Sequence, residues 1–359
     1  MSTDADTEPG APDADTDITV EDRLGAAAML SHGAALGRGA TVTSFMATWA
    51  SQIGITVAFL AVWASFVVVA PDTFRHVNIY QSYAQTMPYF GLTALLLTMV
   101  IASGDIDLSF PSTMALGMTG FVEVEESTGN VTLAISTAVA IGAAAGLFNG
   151  LVVTIVGIPA LVVTIGTQYL FRGLTLALVS GESHALVGVR ESNGYRLLVG
   201  EYLGVPMQFW WFAGLAVGTW FLLYRHRLGQ NAHVIGDNRQ AAQLMGIPIK
   251  RTRVLLFMLT GMAAALAGVM NSMDVANFYP TMGEGYLLPA LAAVFVGGTS
   301  VFGGRASVWG TVLGVFMIGG IDAGIVAADA EAYWVQLIYG AIILVAISIH
   351  AVLQQRFDR

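Results

Sequence analysis

The stretch VTLAISTAVAIGAAAGLFNGLVVTIVGIPALVVTIGTQYLFRGLTLALVS, residues 131–180, decides the fold class of this chain. Its only charged side chain is Arg172. A helix needs about 20 apolar residues to cross about 30 Å of hydrocarbon, and two such segments fit here, at about 131–155 and 159–180. The whole chain is 55% hydrophobic and only 11% charged, against roughly a quarter charged for a soluble domain. The sequence therefore predicts a membrane protein.

Ten spans are predicted, which makes the chain an all-α polytopic membrane protein with some short or broken helices. The spans lie at about 44–70, 86–103, 107–124, 131–155, 159–180, 205–226, 253–275, 286–300, 307–327 and 333–354. An even number of spans puts both termini on the same side, and loops rich in arginine and lysine stay in the cytoplasm. On this rule both termini are cytoplasmic, and only Arg75, Arg190 and Arg196 among the loop cations are external.

An acidic tail, residues 1–40, precedes the membrane domain at 44–355. The tail begins MSTDADTEPGAPDADTDITVED and contributes much of the formal net charge of −9. A segment with so few apolar side chains is predicted to be disordered. It lacks the succession of basic, apolar and small residues that marks a signal peptide, so we expect it to remain in the cytoplasm. The chain has no cysteine, which excludes disulfides, thiolate metal sites and a cysteine nucleophile.

Two predicted spans are short or interrupted by glycine. The span at 86–103 ends in Ser103-Gly104-Asp105, and the span at 286–300 leads into GGTSVFGG (297–304), which includes Gly298 and Thr299. Such breaks occur in helices that line a polar path, where irregular backbone faces protein or water. Ordinary turns at the cytoplasmic surface give the same pattern, so both interpretations stay open at this point.

Glycines recur four residues apart in two of the spans. They are Gly142, Gly146 and Gly150 in one span and Gly310 and Gly314 in another. This spacing lets helix backbones approach closely. Packing explains these glycines better than contact with a solute.

The longest cytoplasmic loop inside the membrane domain is YRHRLGQNAHVIGDNRQAAQLMGIPIKRTR, residues 224–253. Asp237 or Asn238 can cap a short helix that runs to about Met245, and Gly246 can supply the left-handed turn that ends it. This helix would offer a mixed surface suited to docking in a groove of another protein. The surface consists of Ala241, Ala242, Leu244 and Met245 beside Arg239 and Gln243. Alternatively, the loop is a basic segment that fixes topology and contacts lipid headgroups.

Asp105 and Asp107 lie where the second span meets the third. One interpretation is structural, because Asp107 or Ser109 can cap the helix that Pro111 begins. The other is functional, with this break shaping a gate or the lower solute path. Both can hold together.

Arg172 and Asp322 are the clearest charges within the predicted spans. Both lie at a similar depth from the cytoplasmic side, so we hypothesise that they pair, because an unpaired charge inside a membrane is costly. The alternative is that Arg172 reaches outward and Asp322 contacts a loop. The uncharged polar residues Asn149, Thr164, Thr167 and Gln168 are candidates for bonds between helices or to sugar hydroxyls.

Four blocks in the same order resemble the permeases of ribose-type, binding-protein-dependent ABC importers. The blocks are SGDIDLS (103–109), GLFNGLVVTIVGIPALVVTIGTQYLFRGLTL (146–176), the loop with RVLLFMLTGMAAALAGVM (253–270), and AAVFVGGTSVFGGRASVWGTVLG (292–314). Together they cover most of the chain from about 80 to 350. The chain departs from the family at Gly104-Asp105, where two glycines are usual, and at Phe110-Pro111-Ser112, where Val-Gly-Ser is usual.

The resemblance implies a multi-pass permease subunit of the cytoplasmic membrane. Two permease subunits, identical or closely related, would pair within the bilayer and carry a small polar solute, with monosaccharides as the implied cargo. Related permeases also carry other polyols, nucleosides and quorum-type sugars. Two cytoplasmic ATPases would bind the coupling helix, carried over to Asp237–Gly246 in the loop 227–252, and an extracytoplasmic protein would deliver the solute.

Catalytic residues are not evident in the sequence. A P-loop needs a glycine-rich turn before Lys-Ser or Lys-Thr, but the single lysine, Lys250, follows Pro248-Ile249. ATP and magnesium are therefore expected on a partner ATPase, and this chain is expected to bind no cofactor, metal or nucleic acid. An ion-coupled secondary transporter is the alternative, which predicts acidic sites at mid-membrane. A scaffold or sensor would need a folded soluble domain at one terminus.

Overall fold

The computed structural model describes residues 52–68, 70–327, 331 and 333–357. The predicted tail at 1–40 and the start of the first predicted span lie outside the described residues. The body from Gln52 onward forms a single compact unit. Its regular structure is almost entirely helical, in agreement with the all-α prediction.

Ten helices correspond one to one with the predicted spans. They are α1 Gln52–Val68, α4 Pro88–Ala102, α5 Phe110–Thr128, α6 Val131–Leu151, α7 Ala160–Leu178, α9 Met207–Tyr224, α12 Ile249–Val275, α13 Leu287–Val296, α14 Val308–Ala327 and α15 Tyr333–Phe357. Five shorter helices connect or precede them: α2 Pro71–Phe74, α3 Val77–Thr86, α8 Asn193–Leu198, α10 Arg227–Asp237 and α11 Arg239–Leu244. A π-helical turn, Val152–Val156, continues α6, and 3-10 turns occupy Val189–Glu191 and Glu284–Tyr286.

Not all of these helices are long enough to cross a bilayer. By length and composition four helical segments of the described chain qualify, namely Val131–Val156, Ala160–Leu178, Ile249–Val275 and Val308–Ile325. A fifth is added if α3 and α4, which meet at a bend of 53°, count as one span. Helix α13 has 10 residues, or about 15 Å of rise, which agrees with the prediction that 286–300 is one of the short spans.

Two small antiparallel strand pairs lie among the connections. Strand β1, His184–Ala185, pairs with β4, Asn277–Phe278, and β2, Glu201–Tyr202, pairs with β3, Val205–Pro206. These strands lie at the end of the helices opposite α10 and α11. We call the end that carries α10 and α11 the loop end and the other the far end.

Helices α6 and α12 pack closely along their length. A Cβ on Gly146 would lie within 2.7 Å of the carbonyl carbon of Phe257, and one on Gly150 within 2.7 Å of the Cα of Val254. The prediction that these glycines serve packing is confirmed. Gly310 and Gly314 likewise lie against backbone of the preceding helical segment, at Gly297 and Ala293.

Candidate coupling site at the loop end

Helix α11 is a short surface helix with a defined cap at each end. The Asn238 side chain accepts a hydrogen bond from the backbone N–H of Ala241 at 2.9 Å, which satisfies one free donor of the first turn. Gly246 has φ of 73°, the left-handed conformation that ends a helix. The Asn238 cap and the glycine end are therefore confirmed.

The predicted helix start at Asp237 is wrong. Asp237 is the last residue of α10, an amphipathic helix that the sequence pattern did not predict. The buried face of α10 consists of Leu228, Gly229, Ala232 and Ile235. Within α11, Ala242 is fully buried, so its assignment to the docking surface is also wrong. The exposed apolar surface consists of Leu244, which is 90% exposed, and Met245, which is 70% exposed.

A buried carboxylate ties this surface helix to the membrane domain. Asp105 accepts hydrogen bonds from Arg253 at 2.5 Å (Nε to Oδ2) and 2.6 Å (Nη2 to Oδ1). Arg239 of α11 approaches the same carboxylate, with Nη2 at 3.6 Å from Oδ1. Partial burial lowers the pKa of Arg239, and so does the neighbouring charge of Arg253, while Asp105 opposes both effects. Asp105 thus holds two arginines that would otherwise repel each other.

Helix α10 contacts both of the glycine-interrupted segments, the break after α4 and the stretch 297–307. Gly236 lies so close to the end of α4 that a Cβ there would collide with the Ala102 carbonyl group. The Gly304 N–H donates to the Ala102 oxygen at 3.0 Å, and His233 Nδ1 lies 2.9 Å from the Gly304 oxygen. The predicted residues Gly298 and Thr299 belong to this same stretch, 297–307, and Thr299 is fully buried.

The break between α4 and α5 is bonded to its neighbours. Asp107 accepts hydrogen bonds from the backbone N–H of Ser109 at 2.8 Å and from its hydroxyl at 2.7 Å. Asn149 Nδ2 donates to the Ser109 hydroxyl at 2.7 Å, and the Thr164 hydroxyl donates to the Ile106 carbonyl at 3.2 Å. Asp107 therefore orients Ser109, the residue just before α5, but the Ser109 side chain makes no capping hydrogen bond to the first turn, so the predicted cap by Asp107 or Ser109 is not formed. Helices α6 and α7 hold the break in place.

The structure brings together only part of the predicted pathway set. Asp105, Asp107, Ser109, Asn149 and Thr164 gather around the break. No hydrogen bond joins Gln168 to this group in the part of the chain that the structure describes. Arg172 and Asp322 lie elsewhere.

The hypothesised pair of Arg172 and Asp322 is wrong. Arg172 lies near the far end, where its Nε is 3.4 Å from Glu284 Oε1. Its guanidinium also donates to three backbone carbonyl oxygens, those of Pro280, Met282 and Pro111. Asp322 instead lies close enough to Tyr83, Tyr286 and Tyr339 for electrostatic interaction. Residues 280–284 are far from Arg172 in sequence. Comparing how deep two charges lie within their predicted spans therefore could not identify Glu284 and the nearby carbonyls as the partners of Arg172.

This arrangement predicts unequal effects at the two ends of the Arg172 ion pair. Glu284→Gln should change stability by under about 1 kcal/mol, because the Glu284 side chain is 55% exposed and surface pairs contribute little. Arg172→Met should cost about 2 kcal/mol or more, because buried carbonyls lose a charged donor. Unfolding in mixed detergent micelles measures both. Equal losses in the two variants would show that the ion pair, rather than the carbonyls, holds Arg172.

Comparison with known proteins decides the family. The family model described as "Branched-chain amino acid transport system / permease component" matches residues 79–347. The chain belongs to this permease family. The chain is thus a multi-pass permease subunit of an ABC importer, located in the cytoplasmic membrane, and it works with ATPase and solute-binding partners.

Curated relatives of this permease align over most of their length. It is 29% identical over 306 residues to the ribose import permease protein RbsC of Escherichia coli K12, covering 84% of this chain and 94% of the relative. It is 33% identical over 262 residues to the autoinducer 2 import system permease protein LsrD of Photorhabdus laumondii, covering 72% and 78%. The LsrD protein of Yersinia enterocolitica is 35% identical over 240 residues, covering 66% and 72%. No solved structure matches the chain.

Proposed function

We propose that this permease imports a monosaccharide and that its energy comes from ATP and magnesium bound by a partner ATPase. Support for the cargo comes from relatives named for ribose and for autoinducer 2. The family description names branched-chain amino acids, so an amino acid is the competing cargo. The permease itself contributes no catalytic site in this proposal.

The proposed assembly contains two permease subunits, identical or closely related, and two ATPases. The ATPases dock at the loop end, which faces the cytoplasm together with both termini. The solute-binding protein docks at the far end. The charge distribution supports this orientation, because Arg225, Arg227, Arg239, Lys250 and Arg251 all lie in or beside the loop that carries α11.

One observation carries the proposed mechanism. Helix α11 exposes Leu244 and Met245 to a partner, while Arg239 of the same helix faces the buried carboxylate of Asp105. Force applied to α11 therefore reaches the break between α4 and α5 through an ionic contact. Movement of the ATPases would shift α11, α10 and the start of α12 as one body and change the break, which opens or closes the path.

Leu244→Asp should abolish copurification of the ATPase and solute uptake. The leucine is 90% exposed and lies outside the folded core, so the new charge should leave the fold intact while placing an unpaired carboxylate in the docking groove. The matched control is Val187→Asp, since Val187 is 84% exposed at the far end. Copurification is measured by affinity capture of the permease from detergent extracts.

Two outcomes would contradict the proposal. If Leu244→Asp captures the ATPase as well as Val187→Asp does and supports uptake as well as the unmodified permease does, α11 is not the docking element. If the purified permease transports solute without any ATPase when an ion gradient is applied, the alternative of a secondary transporter replaces this proposal.

A further inference from the structure

Six polar residues meet near the far end, at the bend between α3 and α4. We call them the far-end polar cluster: Gln85, Tyr89, Gln208, Asn271, Asp274 and Tyr286. They come from α3, α4, α9, α12 and the 3-10 turn before α13, so the cluster lies at the meeting point of five elements. None of its six members is among the residues that the sequence pattern singled out.

The Asp274 carboxylate is the centre of the cluster. Gln85 Nε2 donates to its two oxygens at 2.8 Å and 3.0 Å. The Tyr89 hydroxyl donates to Oδ2 at 2.7 Å. Gln208 Nε2 lies 3.4 Å from the Tyr89 hydroxyl and donates to it. The Asp274 carboxylate is therefore held by neutral donors rather than by a cation, and the hydroxyl group of a solute could replace such a donor.

Two tyrosine rings lie beside this network. Asn271 Nδ2 donates to the Tyr286 hydroxyl, and the rings of Tyr286 and Tyr89 have centroids 6.4 Å apart. The cluster thus combines carboxylate, amide and hydroxyl groups with two aromatic faces.

A buried polar atom of the cluster has no partner. Gln208 is fully buried, its amide nitrogen faces Tyr89, and its Oε1 has no hydrogen-bond donor among the described residues. A buried acceptor left unpaired is costly, and few native groups are left in this state. An arriving hydroxyl would satisfy it.

We propose that the far-end polar cluster binds the hydroxyl groups of the transported monosaccharide. A carboxylate accepts hydrogen bonds at two oxygens, and an amide both accepts and donates, which suits neighbouring hydroxyls. A few polar groups in fixed positions beside aromatic faces are typical of small-molecule sites. The cluster side chains carry one negative charge and no positive one. Arg190 contacts the cluster only at the Asp274 backbone oxygen, 3.2 Å away. This charge pattern favours a neutral polyol over the carboxylate of a free amino acid.

The inference rests on the proposed cargo and deepens it, so the experiment tests them separately. The assembled transporter, with its ATPase and binding protein, is reconstituted in proteoliposomes and assayed with labelled D-ribose and labelled L-leucine. Asp274→Asn and Gln208→Leu should each lower D-ribose uptake about tenfold, since each loses roughly one buried hydrogen bond to the solute. ATPase copurification should be unchanged, because the cluster is remote from α11.

A labelling arm reports occupancy directly. The chain has no cysteine, so Gln85→Cys supplies a single thiol within the cluster. Ser127→Cys supplies an exposed control in the last turn of α5, also at the far end. D-Ribose should slow maleimide labelling at position 85 but not at position 127. Adding Asp274→Asn should remove the protection. This arm decides the question if the uptake variants fail to assemble.

The outcomes separate the two proposals. Uptake of D-ribose by the unmodified transporter, with no loss in Asp274→Asn or Gln208→Leu and no protection at position 85, would overturn the cluster and leave the cargo standing. Uptake of L-leucine without any D-ribose would overturn the cargo and the cluster with it.

Discussion

Asp105→Asn is expected to destabilise the permease by about 3–5 kcal/mol and to abolish uptake. The Asp105 and Arg253 side chains are only 3% and 7% exposed, so neutralising the carboxylate leaves a buried guanidinium without a counter-charge. The same change removes the ionic contact between Arg239 and the membrane domain. SDS-induced unfolding in mixed micelles measures the stability, and proteoliposome uptake measures the function.

Further variants separate stability from coupling. Arg251→Gln removes an exposed cation two residues from Arg253 and should change stability by under about 0.5 kcal/mol. Combining Asp105→Asn with Arg253→Met should recover much of the lost stability, because neither charge is then buried alone. Uptake should stay low in the double variant, since Arg239 still lacks its partner. Full recovery of uptake would show that the carboxylate serves stability only.

Gly146→Ala should destabilise the permease by about 3 kcal/mol. The added methyl group would meet the carbonyl of Phe257 and the Cα of Met258 on α12, and backbone on a packed helix cannot move aside as a side chain can. The helices would have to separate along the seam between α6 and α12. Unfolding in mixed micelles and yield of folded protein after extraction both report the loss.

Gly166→Ala is the matched control for this prediction. Gly166 lies inside α7, and apart from its chain neighbours and the backbone of its own helix turns no described atom lies within 4 Å of the position that its Cβ would occupy. Alanine is a better helix former than glycine by about 1 kcal/mol, so this variant should be neutral or slightly stabilised. The two substitutions are chemically identical and should differ in sign. Loss of stability in both would attribute the effect to helix chemistry rather than to packing.

Local patterns were sufficient for the membrane helices and for the ends of α11, but not for α10. Apolar length located a helix in each of the ten predicted spans, because the membrane requires long apolar helices whatever their neighbours. The cap of α11 and its end at Gly246 were also local, since each depends on a side chain or a φ angle within a few residues. The four-residue glycine spacing predicted close packing without naming the partner helix.

The partners of the polar groups were decided by tertiary structure alone. Arg172 bonds to carbonyls and Glu284 rather than to Asp322, and Asp105 receives Arg253 from 148 residues away. Asp274 and Gln85 meet across 189 residues. A buried charge requires a partner, but sequence shows only that requirement, because helix order does not fix which faces meet. The sequence by itself determined the spans, the cap and the presence of charges; packing decided which charges share a site.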